Sequence, residues 1–510
     1  MRSSSSYAKL VLSGFVASAG LARCVGSDNT IVDSGADTSI SDATSDMNTT
    51  SDASSDADAA VQTCIFPEAG APGTLDLAFQ AQFYPTVYNG HGLAVDSVGG
   101  IYVVGYDSPQ SGLGPDGPLC GSVAATVAYA VKMTNSGALD TTFGTNGHLC
   151  VPNGTINSAP TTNLFQAVAA DPDGTVVAAG FATDFSKNTN DIDTQAFIAR
   201  ITSTGQLQTT FGSGGTLTYN AVANDRSAIF AVALDKSVSP AKIVVAGSNQ
   251  YFYGSTALNK GWVMRFSDGG TADITFNGGS PVIDTSVNGY FGVAVVDSAI
   301  FVTGSTGANQ NQQTAVVRKL TSTGVWDPSF NGGSPAQVPL GASNAGQGES
   351  VAPLGTGVAV AGPSNLDSYN GGPVAVAGMT STGTVSSSFG TSGTTDLSYD
   401  GGPLVFSTTY QLGMMSPDCE GRLLLATAFV ANPALDSGGG ENLTEMAVAR
   451  VLTTGALDTA FGTQGVGLAM GFNSSPGSLA VEDPKTGGVV VVLRRRAGMD
   501  GQVGLVRLNR

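Results

Sequence analysis

Only two histidines, His91 and His148, occur in 510 residues, and they stand far apart in the chain. Histidine-based metal sites and acid–base pairs are therefore poorly supplied, and both rings are expected to pack or to face solvent. No His-Glu-x-x-His, no phosphate-cradling Gly-Lys loop, no Gly-x-Ser-x-Gly elbow and no Cys-x-x-Cys occurs. The sequence thus points to no cofactor and no metal. Charged residues make up 12% of the chain, against about 25% in ordinary domains, and beyond the N-terminus no stretch keeps helical apolar spacing. A helical bundle is excluded. The net charge is −18, a field that repels polyanions, so no nucleic-acid partner is expected. The one basic run, Arg494-Arg495-Arg496, reads as a solvated strand end.

Glycine is abundant, at 69 residues, and with Ala, Val, Thr and Ser it gives the composition of an all-β chain dense in turns. At the front, Arg2 and Lys9 precede a short apolar run, Leu10 to Gly20, the layout of a secretory signal. Eleven residues are too few for a membrane helix, which needs about 20. Two cleavage points compete. One follows Ala17-Ser18-Ala19; the other precedes Cys24, where Leu21-Ala22-Arg23-Cys24 resembles a bacterial lipobox but has Arg23 in place of a small residue. Cysteine parity favours lipidation of Cys24, because four cysteines then remain to pair in an oxidising compartment.

Residues 25–63 contain eight aspartates, no basic residue, and mostly Ser, Thr and Ala besides. Such a segment buries too little apolar surface to offset its ordering entropy, and its like charges extend it. The expected division is a signal peptide over 1–23, a disordered Ser/Asp/Ala-rich tether over 24–63, and a folded body over 64–510. The expected location is extracytoplasmic, as an outer-membrane or cell-surface lipoprotein or a secreted protein, with the membrane reached only through a lipid anchor.

The body repeats. Phe79, Phe143, Phe211, Phe276, Phe330, Phe389 and Phe461 each follow a glycine by six residues: Gly73, Gly137, Gly205, Gly270, Gly324, Gly383 and Gly455. Three residues before the Phe stands Asp76, Asp140, Asp273, Asp327 or Asp458, with Gln208 and Ser386 as departures. The mean spacing is about 64 residues. Between anchors come a hairpin pattern, as in Gln166 to Gly180 around the turn Asp171-Pro172-Asp173-Gly174, and a single strand, as in Ala196 to Ile201. With the short strand after each Phe this makes four strands per unit. Seven units predict a seven-bladed β-propeller of four-stranded antiparallel blades. The chain starts with an anchor lacking preceding strands and ends in strands lacking an anchor, so the last blade is expected to be closed by the N-terminal segment. Each Phe is expected between blades, each Gly in its turn, and each Asp on backbone N–H groups.

Gly-x-Leu-Asp-x-x-Phe-Gly, the Asp-Gly hairpin and the Ala/Val-rich strand that often carries Arg resemble the bacterial delta-60 repeat family, over nearly all of 73–510. The resemblance implies an exported or surface repeat protein and no established activity.

If strands alternate, the short hairpin turn and the Thr202-Ser203-Thr204-Gly205 kind of turn share one face of the disc, and long, dissimilar connections share the other. Variable loops on a rigid scaffold are where binding is built. Tyr251-Phe252-Tyr253 and Asp184, Asp191 and Asp193 with Lys187 are the candidate ligand-binding residues there; ordinary loop packing is the alternative. Cys120 and Cys150 are close enough in adjoining strands to pair, which leaves Cys64 and Cys419 to pin the closing segment, although four cysteines allow three connectivities. The sequence reading is a monomeric, non-catalytic module that recognises a glycan, peptide or partner protein through its long-loop face. The alternative is a propeller hydrolase or lyase using carboxylates of that face.

Overall fold

The computed structural model describes residue 66 and residues 70–510, apart from 80–81, 109–118, 122–124, 157, 185–192, 222–225, 250–259, 308–312, 341–345, 365–372, 401, 406–414, 431–443, 470–473 and 498–499. These residues form seven four-stranded antiparallel blades arranged in a ring, a seven-bladed β-propeller. The second blade is representative. Its strands run Thr162–Ala170, Val176–Asp184, Asp193–Ile201 and Thr216–Tyr219 from the axis outwards. The second strand of that blade is buried at every position, because a blade packs against a neighbour on each face. That is why it reads as a continuous small-apolar run.

The strand after each Phe pairs with the strand before it, so the anchor turn joins the third and outermost strands of one blade. The N-terminal strand Gln82–Tyr88 has no earlier strand to join. It pairs with Asp500–Leu508 and supplies the outer edge of the seventh blade, as the sequence predicts. Backbone bonds from Gly73 N–H to Asn509 O and from Asn509 N–H to Thr74 O, both within hydrogen-bond range at 2.8 and 2.7 Å, complete the closure. The sixth blade differs from the rest: two short segments, Gly402–Val405 and Met415–Pro417, share the inner position against Leu423–Val430.

Among the described residues, seven core clusters lie one between each pair of neighbouring blades, each holding one of the seven phenylalanines, and a small eighth gathers Phe181, Ala228 and Phe230. Phe211, for example, lies among Val177 and Ile198 of the second blade and Ile243, Val245 and Trp262 of the third. All seven rings are buried. The motif glycine has a positive φ, as at Gly455 (84°), and it also makes an inter-blade contact. A Cβ at Gly455 would lie 2.8 Å from the ring of Phe389, in the preceding copy. Alongside it, after every anchor from Phe143 onward the next N–H donates to the carbonyl before the following motif glycine, as from Gly390 to Thr454. At the seam Gly462 donates to Pro72 in the same way.

Candidate functional site

The two faces of the ring are built from different kinds of residue. On the short-turn face, the motif aspartates accept backbone N–H two residues on: Asp76 from Ala78, Asp140 from Thr142, Asp273 from Thr275, Asp327 from Ser329 and Asp458 from Ala460. Four of them also engage a cation eight residues earlier in the third strand, a partner the sequence reading does not include. The pairs are Lys132–Asp140 (3.6 Å), Arg265–Asp273 (2.9 Å), Lys319–Asp327 (2.9 Å) and Arg450–Asp458 (2.8 Å). Gln208 takes the role of Asp, accepting from Arg200 Nε at 3.1 Å.

Several of these arginines also reach the hairpin turn of their own blade: Arg200 to Asp171, Arg265 to Asp235 and Arg507 to Asp483. Three guanidinium groups lie over anchor rings: Arg265 5.2 Å from the centroid of Phe276, Arg450 4.4 Å from that of Phe461 and Arg507 4.9 Å from that of Phe79. The signal was in the sequence: the copy with Ser386 in place of Asp has Gly378 where the cation would stand. At Asp140, Asp273 and Asp327 the pKa is lowered. For Asp327, the Ser329 hydroxyl and the Lys319 ammonium hold the pKa down at about 2. At Asp273 burial pushes upward, but bonds from Thr275 and the charge of Arg265 outweigh it and lower the pKa.

On the long-loop side, the inner strands begin with a recurring irregularity. A β-bulge falls between Gly90 and Gly92, Phe165 and Ala167, Ile229 and Ala231, and Tyr290 and Gly292. In the fifth blade Glu349 N–H donates to Ala361 O while Ser350 stands opposite Ala361, the same two-against-one arrangement. The extra residues, His91, Gln166, Phe230, Phe291 and Glu349, therefore occupy equivalent places at the mouth of the ring. Each faces a second-strand glycine that admits a close carbonyl: a Cβ at Gly105 would lie 2.0 Å from Asn89 O, and at Gly362 1.8 Å from Gln347 O.

This collar mixes apolar and polar groups. The Phe230 and Phe291 rings, from adjacent blades, are 5.5 Å apart, and His91 stacks on Tyr106 at 5.4 Å. Glu349 Oε2 is shielded from solvent with no hydrogen-bond partner among the described residues. Burial pushes its pKa up to about 8, so the carboxyl is a hydrogen-bond donor at neutral pH. A separate groove of about 450 Å³, lined by Ile156, Asn163, Phe197, Thr216 and Thr218 among others, runs beside the outer strand of the second blade and has no charged lining residue.

Of the candidate ligand residues, Asp184 and Asp193 stand directly opposite each other at the long-loop end of the second blade, the first buried and the second partly exposed. Tyr251, Phe252, Tyr253, Asp191 and Lys187 lie outside the described residues, as do Cys24 and Cys64. Arg494, Arg495 and Arg496 fall within the strand Val489–Ala497 of the seventh blade. His148 is in the outer strand of the first blade, where burial lowers its pKa. Cys120 and Cys150 are joined in a disulfide, and Cys419 is also disulfide-bonded. Among the described residues no His, Cys, Asp or Glu side chains are grouped to hold a metal ion, and no helix is long and apolar enough to cross a membrane.

No family model and no curated protein matches the chain. Among solved structures, a subtype N10 neuraminidase-like protein of A/little yellow-shouldered bat/Guatemala aligns over 67% of this chain and 92% of its own, at 12% identity and a TM-score of 0.37. A GH43_1 enzyme from Xanthomonas citri aligns over 61% and 93%, at 11% identity and a TM-score of 0.27. The arabinanase Arb43A of Bacillus subtilis aligns over 55% and 93%, at 14% identity and a TM-score of 0.29.

Proposed function

We propose that the chain is an exported, surface-tethered binding propeller that recognises a glycan, peptide or partner protein through its long-loop face. The observation that carries this reading is the division of labour between the faces. The polar residues that recur from blade to blade are spent on the short-turn face in bonds that hold the ring together. The long-loop face instead has the non-repeating connections and a collar that carries four residue types over five blades: His, Gln, Phe, Phe and Glu. A rigid ring with one stereotyped and one individual face suits recognition. Export and anchoring through Cys24 are supported by the N-terminal layout and by the delta-60 resemblance, and a disulfide-bearing body suits an oxidising compartment.

Arrays of glycans and peptides, probed with the mature protein, test this. Binding that survives substitution on the short-turn face and is lost on Phe291→Ala or on shortening a long connection is the expected result. Binding abolished only by short-turn substitutions would sink it. A second reading, a hydrolase or lyase, is favoured by one feature, the protonated Glu349 at the ring mouth, which would serve as a general acid. Turnover of an array hit that falls at least a hundredfold in Glu349→Gln, with binding kept, would favour that reading.

A further inference from the structure

We propose that the groove beside the outer strand of the second blade seats an extended, uncharged peptide segment of a partner protein, which adds to that blade as a further antiparallel strand. The blade ends in Thr216–Tyr219, and no described strand pairs with its outer side. Arg200 N–H donates to Gly215 O at 3.1 Å, and Ile198 and Leu217 stand opposite each other two residues along. Bonded and non-bonded pairs alternate in an antiparallel ladder. Ile198–Leu217 is therefore a bonded pair and Phe197–Thr218 is not, so the N–H and C=O of Thr218 point outward. The outward groups of Thr216 are already used, its N–H by Ser213 O and its C=O by Ser213 N–H. Thr218 is exposed, and no described residue bonds its backbone on that side. It offers one donor and one acceptor, the pair that an added strand takes up.

Residues opposite each other on neighbouring strands share a face. Thr218 shares its face with Phe197, which belongs to the core between the first and second blades, so a peptide residue opposite Thr218 would carry its side chain onto that face too. The groove lies there, about 450 Å³ in volume, with Ile156, Ala182 and Phe197 in its lining. Pro152 to Ile156 form another part of the lining, and bonds hold this stretch in place: Asn153 Nδ2 donates to Thr126 O at 3.0 Å, and Asn163 N–H donates to Asn153 Oδ1 at 3.2 Å. The disulfide at Cys150 fixes the strand that leads into it. The lining also decides the class of ligand. No charged side chain is among it, so a charged ligand would lose water without gaining a counter-ion. Its amide, Asn163, is engaged at both ends, by Thr161 Oγ1 on the oxygen and by Pro152 O on the nitrogen. No free amide or carboxylate is left to hold the neighbouring hydroxyls of a sugar. An apolar recess beside an open strand edge suits a peptide whose alternate side chains are apolar. The groove shares no residue with the collar, so this site is additional to the long-loop reading.

Fluorescence anisotropy of labelled, acetylated and amidated heptapeptides that alternate Thr with Val, Leu or Phe, titrated with the full chain, is expected to show saturable binding of at least one. Thr218→Pro removes the outward N–H at an edge position that tolerates proline, and Thr155→Trp fills the groove from an exposed position. Each is expected to weaken binding about tenfold or more, while Thr218→Ala leaves it unchanged. N-methylation of the apolar residues of the peptide, which removes the N–H groups that meet Thr218 O, is expected to do the same without altering the protein. Absence of binding, or binding unmoved by both Thr155→Trp and N-methylation, would overturn the proposal, as would displacement of the peptide by xylohexaose. Phe291→Ala, at the collar, is expected to leave this binding intact; loss there would move the peptide to the long-loop face and overturn the groove site.

Discussion

Arg507 and Asp76 meet at 2.7 Å although 431 residues separate them in the chain. Their pairing repeats, across the seam between the chain ends, the contact that Arg450 makes with Asp458 inside one blade. The seam is therefore held by the same kind of pair as the first, third, fourth and sixth blades. Arg507 is 7% exposed and also bonds Asp483 and Asn135 O. Its replacement by Met is expected to cost about 3 to 5 kcal/mol, the usual penalty for stranding a buried charge. Asp140→Asn, which weakens a longer pair with Lys132, is expected to cost about 1 kcal/mol or less. Equal effects in urea unfolding would contradict this ranking.

The anchors give a second ranking. Phe211→Ala is expected to cost about 3 to 5 kcal/mol, as for other large core truncations, and an unchanged melting midpoint would contradict its place between blades.

Glycines separate backbone strain from crowding. At Gly278, with φ of 64°, an added Cβ meets nothing within 4 Å, so Gly278→Ala is expected to cost only the left-handed penalty of about 1 to 2 kcal/mol. At Gly73 the added Cβ would stand 2.2 Å from Gly462 N across the seam. Gly73→Ala is therefore expected to lower the thermal midpoint well beyond Gly278→Ala.

Stability should depend on pH with opposite signs in two ranges. Asp327, whose folded pKa is about 2, and Asp140, Asp273 and Asp284, all lowered, lose protons more readily folded than unfolded. Their contribution is present above the unfolded value of about 3.9 and is lost as pH falls below it. Asp327→Asn should flatten that acid limb. Glu349 and Glu482, with folded pKa values of about 8 and about 7, keep protons that the unfolded chain releases from about pH 4.3 upward. Their contribution is complete below that value and declines as pH rises towards the folded one. Glu349→Gln is thus expected to raise the thermal midpoint at pH 8 and leave it unchanged at pH 4; a shift of equal size at both would contradict burial as the cause.

The bond between Cys120 and Cys150 closes a loop with a sequence separation of 30 residues. Its loss in Cys120→Ser/Cys150→Ser is expected to cost about 3 to 4 kcal/mol by the loop-entropy relation, read as the fall in urea midpoint.

Much of this was written in the chain. The number of blades, the anchors, the face assignment and the closure by Gln82–Tyr88 follow from one motif repeated in order, because a repeat that cannot bury its face alone must stack on the next. The cation opposite each motif Asp was equally legible, through the eight-residue spacing and the joint loss at Gly378 and Ser386, yet only pairing in three dimensions gives that spacing a meaning. The bulge collar was not legible. His91, Gln166, the pair Phe230 and Phe291, and Glu349 have no chemistry common to all, and a bulge is a matter of register between two strands rather than of the residue it displaces.

The sequence by itself determined which residues are interchangeable between blades, because periodic Phe, Gly and Asp report one local geometry used again and again. Tertiary structure alone decided which unlike residues come to equivalent places, such as Glu349 beside an inner strand with no partner for its Oε2 among the described residues, and which distant ones meet, such as Asp76 and Arg507. Strand register is set by contacts between segments far apart in the chain, and no local pattern encodes it.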